Sequence, residues 1–293
     1  MPLLLKQEDI NMETKKLNNG VLIPRIGFGT YKTTVNDGYS VILNAINAGY
    51  RHLDTAAIYN NEEEVGRAVR ESAVPREEFF ITSKLNRNRL GYESTKAEFE
   101  ESLRKLGMDY MDLYLIHWPR SDYGRDDYDS WEDLDRETWR AMEELLKEGK
   151  VRAIGVSNFL PHHLDNLLKN ANVVPALNQL ELHPGYLQEE AVEYCREKGI
   201  ALEAWSPIGR ARIMKYPLLV EMAAKYGVSV AHLCLIFGLQ SDFIILPKST
   251  HVESMEENLV SGDITISDED MDLIRSMPEA GWSGEHPDRE TIK

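Results

Sequence analysis

Four side chains able to handle protons stand at or just beyond the ends of apolar runs. They are Asp54 and Tyr59 in the stretch 49–69 (GYRHLDTAAIYNNEEEVGRAV), Lys84 closing FFITSK, and His117 in LIHWP. A carboxylate, a phenol, an amine and an imidazole are the parts needed to hold and transfer a proton, and none is needed to pack a core. Taken singly, most have plainer explanations. Tyr59 reads as a loop aromatic, Asp54 as a capping or turn residue, and His117 as a satisfied core histidine. Lys84 resists this, because a lysine ending a buried strand is expected to be paired or functional. The chemistry therefore depends on whether one fold gathers all four.

The elements that must position them follow a regular alternation. Strand-like runs at 25–30, 51–56, 79–85, 112–118, 151–157, 176–182, 201–206 and 243–248 alternate with amphipathic stretches at 37–48, 62–72, 94–106, 134–148, 161–168, 188–198, 216–226 and 252–259. The interval 209–240 holds two helical pieces. Strand-then-helix units repeated eight times in about 250 residues predict an α/β chain of the (β/α)8 TIM barrel class. No GxGxxG follows the first strand, which argues against an open doubly wound sheet. In such a barrel the C-terminal strand ends open on one face. Alternation groups Phe80, Thr82 and Lys84 on one side of their strand, and Leu113, Leu115 and His117 on one side of theirs. Asp54, Tyr59, Lys84 and His117 then share one rim, and four such coincidences move the weight from packing to function. Asn61 is expected to cap the next helix with Glu64 as its capping-box partner, fixing the loop that carries Tyr59.

The 293 residues are read as one domain, 1–293. Residues 1–24, with Asn18-Asn19-Gly20 as turn, predict a short N-terminal hairpin that acts as a lid on one end. Residues 277–293, rich in Gly, Pro and charge with a lone Trp282, form a C-terminal tail expected to lie over the active face or to stay disordered. The formal charge of −16 argues against nucleic acid or an anionic membrane as partner. No run approaches the ~18 apolar residues of a membrane span, and MPLLLKQEDI is too short for a signal core, so a soluble cytoplasmic protein is expected. Cys195 and Cys234 lack metal-like or CxxC spacing and read as reduced, packed thiols; no metal is expected. The seven acids at 125–137 read as a solvated loop feeding a helix N-terminus. Nothing in the sequence demands more than a monomer.

From Ile23 to Asn258 the residues resemble the aldo-keto reductases, in particular the bacterial-type diketogulonate, glyoxal and prostaglandin F-type reductases. The resemblance rests on seven ordered motifs: the 49–69 stretch, ITSKL, LIHWP, GVSNF at 155–159, NQLELHP at 178–184, AWSPIG at 204–209 and LPKS at 246–249. It implies a barrel that reduces aldehydes and ketones with NAD(P)H, without a Rossmann domain and without metal. Tyr59 would then be the proton donor, with its pKa lowered from the ordinary ~10 by the Lys84 ammonium. Asp54 would pair with Lys84, and His117 would orient the carbonyl oxygen. Ser157, Asn158 and Gln179 would meet the nicotinamide carboxamide, and Trp205 would stack on the ring where many members carry tyrosine. Gly29, Thr30, Asp54, Ser206, Ile208 and Gly209 would complete the coenzyme cleft. Lys248, Ser249 and Thr250 would meet the adenosine-side phosphate, with Glu257 and Asn258 near the adenine.

Ser254 departs from the family's arginine, so NADP(H) is expected with a narrowed preference and NAD(H) as a weaker or dual coenzyme. Ile236-Phe237 replaces a usual Arg-Trp at what reads as a packing position. Tyr31, Tyr59, His117, Trp118 and Trp282 would line a pocket for small aldehydes and for apolar or planar carbonyl compounds. Two other functions fit parts of the sequence. One is a low-turnover, nicotinamide-binding regulatory barrel. The other is a barrel enzyme using Lys84 as a Schiff-base amine, which has no use for Tyr59.

Overall fold

A computed structural model describes residues 13–33, 37–119, 130–259 and 264–288. The expected hairpin is β1 (Thr14–Lys16) paired antiparallel with β2 (Leu22–Pro24), and Gly20 takes the left-handed conformation its turn requires. Eight parallel strands follow in sequential order: β3 (Phe28–Gly29), β4 (His52–Asp54), β5 (Phe80–Leu85), β6 (Met111–Ile116), β7 (Val151–Ser157), β8 (Leu177–Glu181), β9 (Ala201–Trp205) and β10 (Ile244–Leu246). A parallel bridge between Ile26 and Ile245, with Gly27 N–H donating to the Ile245 carbonyl, joins the first strand region to the last and closes the barrel. Each expected strand is present. The first shortens most, to two ladder residues plus that bridge.

The helices are α1 (Gly38–Ala48), α2 (Glu62–Glu71), α3 (Tyr92–Leu106), α4 (Trp131–Lys147), α5 (Pro161–Leu168), α6 (Glu189–Glu197), α7 (Pro217–Tyr226), α8 (Val230–Gln240), α9 (Val252–Leu259) and α10 (Asp268–Arg275). α7 and α8 are the two helical pieces of 209–240. α10 was not anticipated: its Ser267 cap and three first-turn acids are standard signals, but its buried apolar stripe is only Met271 and Ile274. α4 starts three residues earlier than expected, at a Ser130 cap with Glu132 and Asp133 in the first turn; residues 125–129 of the acid-rich stretch lie outside the described residues. Among the described residues no single helix is long and apolar enough to cross a membrane.

Two apolar layers result. Between barrel and helices, residues such as Ile42, Val65, Phe99, Trp139 and Leu164 are buried against the outward faces of the strands. Inside the barrel, Phe80, Leu113, Leu115, Ala153, Leu177 and Ile244 pack with Leu17 and Ile23 of the hairpin, which therefore closes the N-terminal end as a lid. Each such aliphatic side chain contributes about 1.5 to 3 kcal/mol by leaving water. With one end sealed, inward-facing polar groups can meet solvent and ligand only at the other. There the tail crosses the strand ends: Ser283 donates from N and Oγ to the Glu181 carboxylate at the end of β8 (3.0 and 2.6 Å), and Arg210, after β9, pairs with Glu285 at 2.9 Å.

Helix α2 reaches α3 through a point with no room for a side chain. A Cβ on Gly66 would collide with the Leu106 carbonyl, 2.6 Å from its carbon. Backbone at a helix end cannot rotate aside as a side chain can. We therefore expect Gly66→Ala to destabilise the fold by about 1 to 3 kcal/mol through overpacking, although alanine is the better helix former by about 1 kcal/mol. Urea unfolding of the variant measures this, and a stabilised Gly66→Ala would contradict the packing.

Candidate active site

Alternation along β4, β5, β8 and β9 turns Asp54, Lys84, Gln179 and Glu203 into the barrel, and the ladder places Gln179 directly opposite Glu203. Lys84 is fully buried, and its Nζ donates to Asp54 Oδ1 at 2.6 Å and to the Thr55 carbonyl at 2.9 Å. The Tyr59 ring centre lies 5.1 Å from the same Nζ. His117 meets Tyr59 edge-on at 5.6 Å, and Tyr31 packs on it at 5.0 Å. The four residues singled out from sequence are therefore in one place.

Tyr59 ends a single 3-10 turn, Ala57–Tyr59, stopped by Asn60 in the left-handed conformation. Asn61 does occupy the N-cap position of α2, but it makes no side-chain cap and no capping box with Glu64. Its amide is drawn elsewhere: Oδ1 accepts from Thr55 Oγ1 at 2.6 Å, and Nδ2 donates to the Thr30 carbonyl at 2.9 Å and to Thr33 Oγ1 at 3.2 Å. The loop is fixed as anticipated, by buried bonds across to the β3 and β4 ends rather than by the helix terminus.

Burial acts first on Lys84, Tyr59 and His117. For Lys84 it opposes the charge, but the Asp54 carboxylate, then Tyr59, outweigh it and hold the ammonium above its ordinary value. Tyr59 is pushed up to about 12 by burial, while Lys84 pulls it down and Asp54 pushes it up. The expected lowering below the ordinary phenol value is thus overturned: Lys84 acts in that direction, yet desolvation wins. His117 is held well below its ordinary value by burial and by the charges of Lys84 and Arg87, so it is neutral near pH 7.

Around this group lie the expected coenzyme residues. Ser157 Oγ donates to the Gln179 carbonyl at 2.9 Å, and Asn158 Nδ2 donates to the His117 carbonyl at 3.0 Å while its Oδ1 accepts from Trp205 Nε1 at 2.9 Å. The Arg210 guanidinium covers the Trp205 ring at 5.3 Å. Thr30 is fully buried and donates to the Asp54 carbonyl at 2.9 Å, and Gly29 lies against the end of β10, where an added Cβ would sit 3.5 Å from the Leu246 carbonyl. Ser206 and Gly209 take left-handed conformations in the loop after β9, beside Ile208. Lys248 is exposed and in no ion pair among the described residues; Ser249 Oγ accepts from His251 N–H, and Thr250 leads into α9, where Ser254 is half-buried. Glu257 turns to α8 and accepts from Ser229 Oγ at 2.9 Å, and Asn258 hydrogen-bonds Tyr50.

Of the expected pocket walls, Tyr31, Tyr59, His117 and Trp118 form a continuous aromatic run, with Trp118 6.5 Å from His117 and under the Arg87 guanidinium. Trp282 stacks on Tyr186 at 6.0 Å. Sequence reasoning missed Thr55 and Glu203. The first meets Lys84 through its carbonyl, which no side-chain pattern reveals. The second was legible, since ALEAW puts an acid on the inward face of a strand with Trp205.

Cys195 and Cys234 are buried free thiols, both raised by burial, to about 11 and about 12. His162, His163 and Asp288 bring ligand-type atoms within 4.8 Å of one another. However, His163 Nδ1 accepts the Leu160 N–H at 3.1 Å, so its Nε2 carries the ring hydrogen toward Asp288 at 3.1 Å. A metal-binding histidine needs the reverse, so this group ties α5 to the tail.

Residues 25–279 match the model of the Aldo/keto reductase family. The chain is similar to the glyoxal reductase of Bacillus subtilis (strain 168), at 46% identity over 277 residues that cover 94% of this chain and 96% of that one. Among solved structures it is similar to an aldo/keto reductase from Brucella melitensis, at 42% identity and a TM-score of 0.83 over 90% of this chain and 98% of that one. It is also similar to a Bombyx mori aldo-keto reductase in complex with NADP, at 34% identity and a TM-score of 0.83 over 91% and 92%. The eight-stranded barrel agrees with these matches, and the chain belongs to the aldo/keto reductase family.

Proposed function

We propose that this protein reduces aldehydes and ketones with NADPH, and that Tyr59 is the proton donor. The observation that carries the reading is the buried ammonium of Lys84, held by Asp54 and lying 5.1 Å from the Tyr59 ring. Reducing a carbonyl places negative charge on its oxygen, and the reaction needs both a hydride at carbon and a proton at oxygen. Bound reduced nicotinamide supplies the hydride. Tyr59, with a value of about 12, keeps its proton at neutral pH and gives it up as the oxygen becomes basic, with the Lys84 charge stabilising the phenolate left behind. His117, neutral, donates a ring N–H to the same oxygen and orients it without competing as the acid. The aromatic run of Tyr31, Tyr59, His117 and Trp118 suits small aldehydes and apolar or planar carbonyl compounds.

The coenzyme fits the donor set. Gln179 spends both amide hydrogens inward, on Asp54 and Glu203, which leaves an acceptor for a carboxamide N–H. Exposed Lys248, the hydroxyls of Ser249 and Thr250 and the start of α9 offer a basic, donor-rich spot for phosphate on an otherwise acidic chain. The relative solved with NADP supports the same choice. A low-turnover regulatory barrel gains nothing from these observations. A Schiff-base role is disfavoured because Lys84 is buried, ion-paired and held above its ordinary value, so it is charged and no nucleophile.

Tyr59→Phe removes the donor and keeps the ring. Turnover with a panel of aldehydes, followed by absorbance of reduced nicotinamide, should fall by about 10²- to 10⁴-fold while NADPH binding stays nearly intact. Turnover near that of the parent would defeat the assignment.

Discrimination of NADPH from NADH rests on one phosphate, and Ser254 brings no charge to it. Ser254→Arg should tighten NADPH more than NADH, by roughly tenfold or more, because a charge-assisted contact is worth about 1.5 to 3 kcal/mol. Titration of both coenzymes by tryptophan fluorescence checks this. Equal gains, or a parent that prefers NADH, would put the phosphate elsewhere.

A further inference from the structure

Gln179 Nε2 lies 2.9 Å from Asp54 Oδ2 and 2.6 Å from Glu203 Oε2. A flipped amide would turn its oxygen against the acceptor-only Asp54 carboxylate, so Nε2 faces inward and Glu203 Oε2 takes its second hydrogen. Only Oε1 then remains to meet a ligand, and it can recognise a donor but not an acceptor.

Glu203 is fully buried, yet one ammonium serves both carboxyl groups, and Lys84 Nζ sits on Asp54. Among the described residues Glu203 Oε1 has no hydrogen-bond partner. It lies 3.7 Å from Nε2 of His52, an imidazole that burial pushes down to about 3 and so keeps neutral. A second carboxylate here would be a buried charge without counter-ion, whereas the protonated acid needs none.

We propose that Glu203 is a positioning residue of the reductase: as an uncharged acid it fixes the Gln179 amide and leaves Asp54 the sole anion beside Lys84. This rests on the coenzyme reading above. Burial first, and then the Asp54 charge, push Glu203 up to about 8, with Gln179 and Lys84 opposing. The titratable groups facing it are Asp54 and His52 from β4 and Lys84 from β5; β8 and β10 bring Gln179 and Ile244. Ionisation above about pH 8 would set a second negative charge beside Lys84 and offset its pull on Tyr59.

Two experiments on the full-length protein test this. Unfolded, Glu203 ionises near 4.5; folded, it keeps its proton to about 8, so its contribution to stability falls as pH rises through that window. Glu203→Gln cannot titrate. Its stability relative to the parent, from urea unfolding without coenzyme, should therefore rise between about pH 5 and pH 8 and then level off. A difference independent of pH overturns the uncharged state. The second experiment is NADPH titration by tryptophan fluorescence at neutral pH. Glu203→Gln still offers Gln179 an acceptor and should keep the parent's affinity, while Glu203→Met keeps the volume without the acceptor and should bind about five- to tenfold more weakly. Equal losses in both variants, or none in Glu203→Met, overturn the positioning role. A parent that binds no NADPH overturns the coenzyme reading instead, and the unfolding difference still decides the charge of Glu203.

Discussion

The structure depends on keeping one ammonium charged in the interior of a barrel. A lysine stripped of water and left alone would cost several kcal/mol or lose its proton, so Lys84 stays charged only because Asp54 and the Thr55 carbonyl take up its hydrogens. Both partners come from the end of β4, the strand hydrogen-bonded to the one that carries Lys84. The ion pair is therefore assembled by strand register, and neither residue can leave without stranding the other. The sealed lower barrel serves the same end. Leu17, Ile23, Phe80, Leu113 and Ile244 exclude water from below, so the charges communicate only with one another and with what enters from the strand ends.

Charge is then shared economically. One ammonium and one carboxylate cancel, His117 and His52 are held neutral by burial, and Tyr59 retains its proton. Glu203 completes the set, since its neutral form leaves the balance undisturbed and its ionised form would not. The donor strength of Tyr59 is accordingly a difference between opposing effects. Burial sets the phenol high, and Lys84 brings it part of the way back. Once a carbonyl oxygen gains negative charge, that same ammonium favours the phenolate, which is where an electrostatic contribution helps the reaction rather than the resting protein.

Much of this was legible in the sequence. Eight apolar runs separated by amphipathic stretches predicted the barrel, and the position of Asp54, Tyr59, Lys84 and His117 at strand ends predicted their convergence. Period-two alternation is a strong signal when both faces of a strand are buried and one charged residue breaks the pattern, as Lys84 does in FITSKL. Other features depend on long-range partners that no local pattern encodes. Asn61 looks like a helix cap, but Thr55 and Thr30 outcompete the helix for its amide. α10 has good termini but too narrow an apolar stripe to stand out. The sign of the Tyr59 shift was misjudged because a neighbouring charge can be guessed from sequence, whereas the desolvation that outweighs it cannot.

The balance at Tyr59 can be measured directly by following ring-labelled tyrosine resonances against pH in the coenzyme-free protein, with Tyr59→Phe giving the assignment. The expected result is no titration of Tyr59 below about pH 11, consistent with a midpoint of about 12, and a still higher midpoint in Lys84→Met, where the Asp54 charge is left uncompensated. A Tyr59 that titrates at or below the ordinary value of about 10, or one whose midpoint does not rise when Lys84 is lost, would contradict it.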